Sequence, residues 1–225
     1  MTAWPIAKSC LWFGVIAAAL FWPAGTLRWP GAWAYLGEMA IGTIAIIGWL
    51  ARHDPALLRE RLASPIQHEQ VYRDKLIIAV VIVGYYGWLT LMALDARRWG
   101  WSRMPGWLAI VGAILLALCF YVSWLVFREN TFAAPVVKIQ RERGHTVIAT
   151  GPYAVVRHPM YAGALLQFAG VPLLLGSWLG LALAPVLFAA LLPRIGIEEQ
   201  ALRDNLPGYA DYAARVRWRL VPGIY

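Results

Sequence analysis

Side chains capable of binding or catalysis are concentrated in two polar blocks, residues 138–161 and 194–219. In the first block, Arg157 and His158 stand directly before Pro159, a residue that suits the first turn of a helix and biases its predecessor away from helical conformation. The sequence therefore predicts a helix N-terminus here, where backbone N–H groups, the helix dipole and a guanidinium would converge on an anion. The alternative is that Arg157 binds a lipid phosphate and His158 only caps the helix.

The second block offers carboxylates. Arg194 and Glu198 are four residues apart, hence on one face of a predicted helix, and Glu199 follows at once. Adjacent carboxylates beside an apolar segment are costly unless they face water or bind a cation, which makes this pair a functional candidate. A surface ion pair between Arg194 and Glu198 is the alternative. Tyr209 and Tyr212, at helical spacing, predict a tail helix that either folds over the first block or lies on anionic lipid.

The first block is predicted to be a loop. Turn signals at Gly144 and at 151–152 bracket a short β-branched run at 146–148, which leaves room for one extended piece. Tyr153 and Tyr161 could stack on a ring or belong to an aromatic belt. The four histidines and two cysteines of the chain have none of the spacings typical of metal ligands, so we expect no metal site.

These blocks must be positioned by an unusually apolar chain. Of its 225 residues, 60% are hydrophobic and 14% are charged, and the mean hydropathy is +0.58, which excludes an ordinary soluble domain and a disordered chain. A membrane core about 30 Å thick requires about 20 apolar residues in a helix, and four runs approach that length, 9–24, 32–50, 76–94 and 105–127. A further stretch, 160–193, is interrupted at Gly176-Ser177 and is predicted to form a tight helical hairpin.

The predicted fold is therefore an all-α, polytopic membrane helix bundle of about six transmembrane segments, with a cytoplasmic loop and a C-terminal helix. All 20 Lys and Arg lie outside the apolar runs, and with six crossings 16 of them share the side of the N-terminus and the tail. That side is then cytoplasmic. The first run would be a signal anchor, with a cleaved signal peptide as the alternative. We expect a bacterial inner-membrane protein. Its net charge of +8 is then explained by binding of Lys and Arg to membrane lipids, not to nucleic acid.

Three motifs closely resemble those of the isoprenylcysteine carboxyl methyltransferase family, which is related to the phospholipid N-methyltransferases. They are Gly151-Pro152-Tyr153, then Arg157-His158-Pro159-Met160-Tyr161-Ala162-Gly163, and Glu198-Glu199 followed by Tyr209 and Tyr212. The resemblance covers residues 138–222. It implies a methyltransferase-like region, 131–225, after an N-terminal four-span membrane region, 1–130. It also implies an integral membrane enzyme that binds S-adenosylmethionine in a cytoplasmic pocket and methylates a lipophilic small molecule or lipidated substrate entering from the bilayer.

The resemblance assigns site residues position by position. The family's cofactor residues fall on Lys138 or Gln140, His145, Thr146, Val147, Ile148, Tyr153, His158, Pro159, Met160, Tyr161 and Glu198. Its substrate-side arginine falls on Arg194. In physical terms, the cofactor's carboxylate suits Arg157, its ammonium suits Glu198 and its adenine suits the apolar edge at 147–148. If the acceptor were an amine, Glu199 could take its proton.

Three other functions stay open on sequence grounds. A phospholipid amine N-methyltransferase would use the same cofactor on a different acceptor. A membrane NADPH reductase of the steroid 5-alpha type has a similar Arg-x-Pro-x-Tyr helix start, but typically has Asn and Glu where this chain has Met160 and Ala164. A non-enzymatic lipid-binding protein would require only the basic loops and interfacial tryptophans, and would have no affinity for S-adenosylmethionine.

Overall fold

The computed structural model describes residues 3–64, 67, 70 and 72–225, with side chains from residue 10 onward. The Lys8 side chain, counted above among the positive charges, and His68, one of the four histidines, lie outside this description. Within it, every regular element is helical. The α-helices are α1 (Ala3–Ala24), α2 (Pro30–His53), α3 (Pro55–Leu62), α4 (Tyr72–Ala93), α5 (Gly106–Glu129), α6 (Pro159–Leu175), α7 (Trp178–Ala189), α8 (Leu192–Asn205) and α9 (Tyr209–Arg215).

Several of these helices have the length and composition of membrane spans. Among the described residues, four segments are long and apolar enough to cross a bilayer, namely Pro30–His53, Tyr72–Trp99, Gly106–Glu129 and Trp178–Asn205. Shorter apolar helices occupy Cys10–Ala24 and Pro159–Leu175. The all-α, integral membrane character predicted from composition is therefore confirmed.

Helix boundaries follow local chemistry. Helix α6 begins at Pro159, as predicted, and ends before Gly176, whose φ of 79° is accessible to glycine at little cost. Helix α7 starts two residues later at Trp178. The short helix α3, which the sequence analysis missed, begins at Pro55, and the side chain of its N-cap residue Asp54 accepts a hydrogen bond from the Leu57 N–H at 2.9 Å.

The chain divides into two compact units, each assembled from three segments. The first consists of Met1–Ile44, Val80–Ala117 and Leu166–Phe188, and the second of Ala45–Ala79, Leu118–Leu165 and Ala189–Tyr225. Helices α2, α4, α5 and α6 each contribute a part to both units. Both polar blocks lie entirely in the second unit.

The first unit is held by close helix packing and by a buried acid. A Cβ atom on Gly112 of α5 would lie 2.4 Å from the Leu174 nitrogen and 2.6 Å from the Gly170 oxygen, both in α6, so only glycine permits this approach. Asp95, which is buried, lies in a π-helical turn after α4. Its carboxylate accepts hydrogen bonds from the hydroxyls of Ser102 and Ser177, and thereby fixes the start of α7.

The second unit positions the polar blocks through two apolar clusters. One cluster joins Leu50 and Leu57 to Val126 and Phe127, and so packs the end of α2 and α3 against the end of α5. The other is formed by buried residues of the tail, including Tyr209 and Tyr212 of α9, and packs against the loop residues Val147, Ala149 and Tyr153. Of the two alternatives for the tail helix, the structure therefore has the one in which it folds over the loop.

Candidate functional site

A cavity of about 330 Å³ lies within the second unit, between the loop 130–158 and helices α3, α6, α8 and α9. Its volume lies at the lower end of the range of about 300–1,000 Å³ that is typical of small-molecule sites. The residues that line this cavity include Arg61, Asn130, Phe132, Lys138, His145, Thr146, Val147, Ile148, Tyr153, Arg157, His158, Met160, Tyr161, Arg194, Glu198, Tyr209 and Tyr212. The structure thus brings together all the predicted cofactor residues except Gln140 and Pro159.

One wall of the cavity is apolar and aromatic. The His145 ring stacks on Phe132 with 4.4 Å between ring centroids, and Val147 and Ile148 continue the same strip of loop. The Tyr212 hydroxyl donates to the Tyr153 carbonyl at 2.8 Å and fastens α9 to this loop. This part of the cavity wall therefore consists of rings and branched aliphatic side chains, a surface suited to a planar group.

Tyrosines supply neutral polar groups to the same cavity. Asn130 donates to the Tyr153 hydroxyl at 2.8 Å. Burial raises the pKa of Tyr153 and of Tyr209, and it raises the pKa of Tyr212 to about 12, so all three phenols stay protonated at neutral pH. The Tyr209 hydroxyl is buried and has no hydrogen-bond partner among the described residues, which leaves it available to a ligand.

The predicted helix N-terminus at Pro159 is present, but protein groups occupy the donors around it. The backbone N–H groups of Arg157 and His158 donate to the carbonyls of Trp218 and Arg219, each at 2.9 Å. The Arg157 guanidinium donates to Glu199 Oε1 and to the carbonyls of Val216 and Arg217, each at 2.7 Å. Arg157 therefore lines the cavity while its guanidinium ties α6 to the tail.

Glu199 is the centre of this buried polar cluster. One of its oxygens lies 2.7 Å from Arg157 Nε and 3.2 Å from His158 Nε2, and the other accepts from Arg219 at 3.1 Å. Only 3% of Glu199 is exposed, and it is not part of the cavity lining described above. Its position supports Arg157 and His158 from behind the cavity wall.

The neighbouring carboxylate, Glu198, faces the cavity. The Tyr161 hydroxyl donates to Glu198 Oε2 at 3.0 Å, and both residues line the cavity. The two adjacent acids of the sequence motif therefore have different environments, one facing the cavity and one inside a cationic cluster.

Arg194 also lines the cavity, but its ion pair is with Asp74 and not with Glu198. Its Nε lies 2.6 Å from Asp74 Oδ1, and its Nη2 donates to the Pro135 carbonyl at 2.6 Å. Asp74 is fully buried and also accepts from the Val137 N–H at 3.2 Å. The sequence analysis did not identify Asp74, because it precedes Arg194 by 120 residues and no local spacing connects them.

Lys138 and Gln140, the two candidates for the first cofactor residue of the 138–161 block, have different positions in the structure. Lys138 lines the cavity and pairs with Glu60 at 2.7 Å. Gln140 is fully buried outside the lining, where it donates to the Phe132 carbonyl at 2.8 Å and shapes the loop. Lys138 is therefore the one of the two that can reach a ligand in this cavity.

Arg61, on the overlooked helix α3, is a further cavity residue. Its guanidinium lies 4.7 Å from the centroid of the Phe127 ring. Burial, and then the charge of Arg194, lower the pKa of Arg61 to about 10. The Asp54-Pro55 pair, a helix-start signal, is the sequence feature that could have located this helix.

The fold defines a class, a helical integral membrane protein, and its second unit contains a cavity large enough for a small molecule. Residues 107–207 match the model of a family described as phospholipid methyltransferase. This range contains all the cavity residues named above except Arg61, Tyr209 and Tyr212. The match confirms the family resemblance predicted from the sequence motifs.

Curated relatives extend the comparison. The chain is 29% identical to protein-S-isoprenylcysteine O-methyltransferase B of Arabidopsis thaliana over 122 residues, which is 53% of this chain and 59% of the relative. It is 32% identical to the cobalt-zinc-cadmium resistance protein CzcN of Cupriavidus metallidurans over 135 residues, 59% of this chain and 60% of the relative. It is 28% identical to alkane 1-monooxygenase 2 of Pseudomonas aeruginosa over 163 residues, 68% of this chain and 41% of the relative. The chain thus spans less than two thirds of the length of each relative.

The names of these relatives describe different functions. Among the described residues there is no group of three or more His, Cys, Asp or Glu side chains placed to hold a metal ion. The cavity of the second unit is lined by aromatic rings, by the Glu198 carboxylate and by several guanidinium groups.

Proposed function

We propose that this protein is an integral membrane methyltransferase that uses S-adenosylmethionine and methylates a lipophilic acceptor, with the carboxylate of an isoprenylcysteine-like or other lipid as the accepting group. The observation that supports this most is that the residues implied by the family motifs, from both polar blocks, line one cavity. The family match to residues 107–207 and the methyltransferase relative point to the same chemistry.

The cavity suits the cofactor's separate groups. Its wall at Phe132, His145 and Val147 suits a planar adenine, and the Glu198 carboxylate suits a cation. The unpartnered Tyr209 hydroxyl is a buried polar atom that a ligand would satisfy. These features argue for a polar, partly cationic ligand with an aromatic end.

The protein's own contribution to catalysis would be positioning. S-adenosylmethionine, when bound, supplies an electrophilic methyl group on a positively charged sulfur. Because charge on that sulfur falls as the methyl group departs, a cavity that is shielded from water and aligns acceptor, methyl carbon and sulfur supplies most of what is required. Glu198 and Tyr161 would hold the cationic side of the ligand, while the loop 145–148 fixes its rings.

A carboxylate acceptor requires no base, since it loses no proton when it becomes an ester. A phospholipid amine acceptor, the alternative favoured by the description of the matched family, would lose a proton. Glu198 is the carboxylate that lines the cavity, whereas Glu199 is engaged by Arg157, His158 and Arg219. We therefore propose Glu199 as a positioning residue, and Arg194, held by Asp74, as the residue that orients the acceptor's headgroup.

The membrane arrangement proposed here has six crossings, the last two forming a hairpin at Gly176-Ser177, with the cavity on the cytoplasmic side of a bacterial inner membrane. Three observations support it: the interrupted helices α6 and α7, the charge asymmetry of the loops, and the location of both polar blocks in the second unit.

The experiment that tests the function is a two-part assay of the full chain in detergent. Calorimetry should detect binding of S-adenosylmethionine and of S-adenosylhomocysteine. Incubation with labelled cofactor and extracted lipids should transfer label to a lipid, and alkaline hydrolysis then distinguishes an ester from an N-methyl product. A protein that binds neither cofactor form, but binds NADPH or lipid alone, would contradict the proposal in favour of the reductase or the lipid-binding alternative.

A further inference from the structure

The charged side chains of the cavity differ in whether the protein itself neutralises them. Three of its cations are paired with a carboxylate, namely Lys138 with Glu60 at 2.7 Å, Arg157 with Glu199 at 2.7 Å and Arg194 with Asp74 at 2.6 Å. Among the described residues, Arg61 and Glu198 line the same cavity without an ion pair. These two groups are therefore the ones whose charge is left for a ligand.

Arg61 has few protein partners for a guanidinium inside a protein. One of its donors, Nη1, reaches the Ala133 carbonyl at 3.4 Å, a long hydrogen bond. Its planar face lies over the Phe127 ring, and the nearby charge of Arg194 repels it. A guanidinium has five N–H donors, and among the described residues most of those on Arg61 have no acceptor, so they can meet a planar oxyanion in the cavity.

The other two arginines of the cavity differ from Arg61 because a carboxylate neutralises each of them. Arg157 donates to Glu199 and to two backbone carbonyls. Arg194 donates to Asp74 and to the Pro135 carbonyl. A ligand anion at either residue would share a guanidinium that is already neutralised, whereas Arg61 has no ion-pair partner among the described residues.

We propose that Arg61 binds a carboxylate of the small molecule held in this cavity. The inference rests on the proposed function, and it adds a residue of helix α3 to the sequence-predicted Arg157 and Arg194. A partly buried cation with no ion-pair partner among the described residues is costly, and a carboxylate that makes charge-assisted hydrogen bonds reduces this cost.

The opposite charge is nearby. Arg61 and Glu198 line the same cavity as Tyr153, and besides the larger effect of burial the charge of Glu198 raises the pKa of this phenol while that of Arg61 lowers it. This arrangement matches a zwitterion such as the amino-acid end of S-adenosylmethionine, and it equally suits an acceptor whose carboxylate lies beside the cofactor's cation. Both sources present the same chemistry to Arg61.

The test uses two pairs of probes that differ only in the carboxylate. One pair is S-adenosylmethionine and its decarboxylated form, and the other is N-acetyl-S-farnesylcysteine and its uncharged amide. The full chain in detergent is titrated with each probe as wild type, as Arg61→Met and as Arg61→Lys. The matched control is Arg59→Met, because Arg59 is an exposed arginine of the same helix and does not line the cavity.

Wild type should prefer the charged member of at least one pair, and Arg61→Met should lose about ten- to a hundredfold of that preference. Arg61→Lys should keep part of it, and Arg59→Met all of it. Loss on the cofactor pair identifies the cofactor's carboxylate as the ligand of Arg61, and loss on the acceptor pair identifies the acceptor's.

Two results would overturn the assignment: wild type with no preference for the charged member of either pair, or an Arg61→Met variant that keeps the wild-type preference in both. If Arg61→Met does not fold, the preference in Arg61→Lys decides, because retention of the full wild-type value would mean that guanidinium geometry is not used. Failure of wild type to bind any cofactor probe contradicts the proposed function, while the acceptor pair still decides whether Arg61 binds a carboxylate.

Discussion

Two carboxylates that are adjacent in sequence have different environments because consecutive residues of a helix point about 100° apart. Glu198 faces the cavity, and among the described residues its one hydrogen-bond partner is the Tyr161 hydroxyl. Glu199 faces Arg157, His158 and Arg219. The proposed ligand contact and the structural support thus belong to adjacent positions of one helix, and substitutions of the two residues should give different results.

Replacing Glu198 with Gln should weaken S-adenosylmethionine binding, because the side chain keeps its shape and loses the charge that faces the ligand's cation. The expected loss is about 1.5–3 kcal/mol, the typical net value of a charge-assisted hydrogen bond. Calorimetric titration of the purified variant measures it. Glu142→Gln, at an exposed position of the loop, is the control and should bind like wild type. An unchanged affinity in Glu198→Gln would remove this residue from the site.

The comparison variant Glu199→Gln should chiefly affect stability. Removing one partner of a buried ion cluster typically costs about 3–5 kcal/mol, because the cations left behind stay desolvated. The midpoint temperature of thermal unfolding in detergent should therefore be lowered much more by Glu199→Gln than by Glu198→Gln. A larger loss of stability in Glu198→Gln than in Glu199→Gln would contradict the roles assigned to the two acids.

The loop histidine gives a pH prediction. Burial, and then the charge of Arg143, lower the pKa of His145, with smaller opposing effects from Glu142 and Glu198. A histidine with a lowered folded-state pKa stabilises the protein fully above its unfolded pKa of about 6.5, and that stability is lost as the pH falls through the folded value. Between pH 7.5 and 5 the midpoint temperature of thermal unfolding should therefore fall more steeply for wild type than for His145→Phe. The phenylalanine keeps a stacking ring and cannot titrate. Parallel curves would contradict this assignment.

Sequence patterns located the cavity residues better than their partners. The family resemblance predicts the loop residues 145–148, Tyr153 and Tyr161, and all of them line the cavity. The engagement of Arg194 by Asp74 and of Arg157 by tail carbonyls depends on pairs far apart in sequence, and residue types alone cannot specify such pairs.

At the scale of elements, long apolar helices were predictable and the short polar one was not. Helices α2, α4 and α5 coincide closely with apolar runs, of which the first carries one acid, Glu38, since membrane burial requires both length and apolarity. Helix α3 has eight residues, three of them charged, so it has no apolar periodicity to detect. Yet this helix presents Arg61 to the cavity.

Close helix approach gives a prediction at this scale. Replacing Gly112 with Ala should destabilise the protein by about 1–3 kcal/mol, because the added methyl group meets backbone atoms of α6 that cannot move aside as a side chain would. Gly87→Ala in α4 is the control, since a Cβ there meets nothing within 4 Å. Thermal unfolding in detergent compares the two, and equal midpoints for Gly112→Ala and Gly87→Ala would contradict the close packing of α5 on α6.

At the scale of the whole molecule, the distribution of positive charge predicts topology. With six crossings, the N-terminus, the second and fourth loops and the tail share 16 of the 20 Lys and Arg, and such an excess marks the cytoplasmic side. A green fluorescent protein fused after Tyr225 should fluoresce, and alkaline phosphatase at the same position should be inactive. Insertion near Arg98, in the third loop, should give the opposite pair of signals. An active phosphatase after Tyr225 would require an odd number of crossings, and would mean that the chain between Pro159 and Ala189 does not cross the membrane twice.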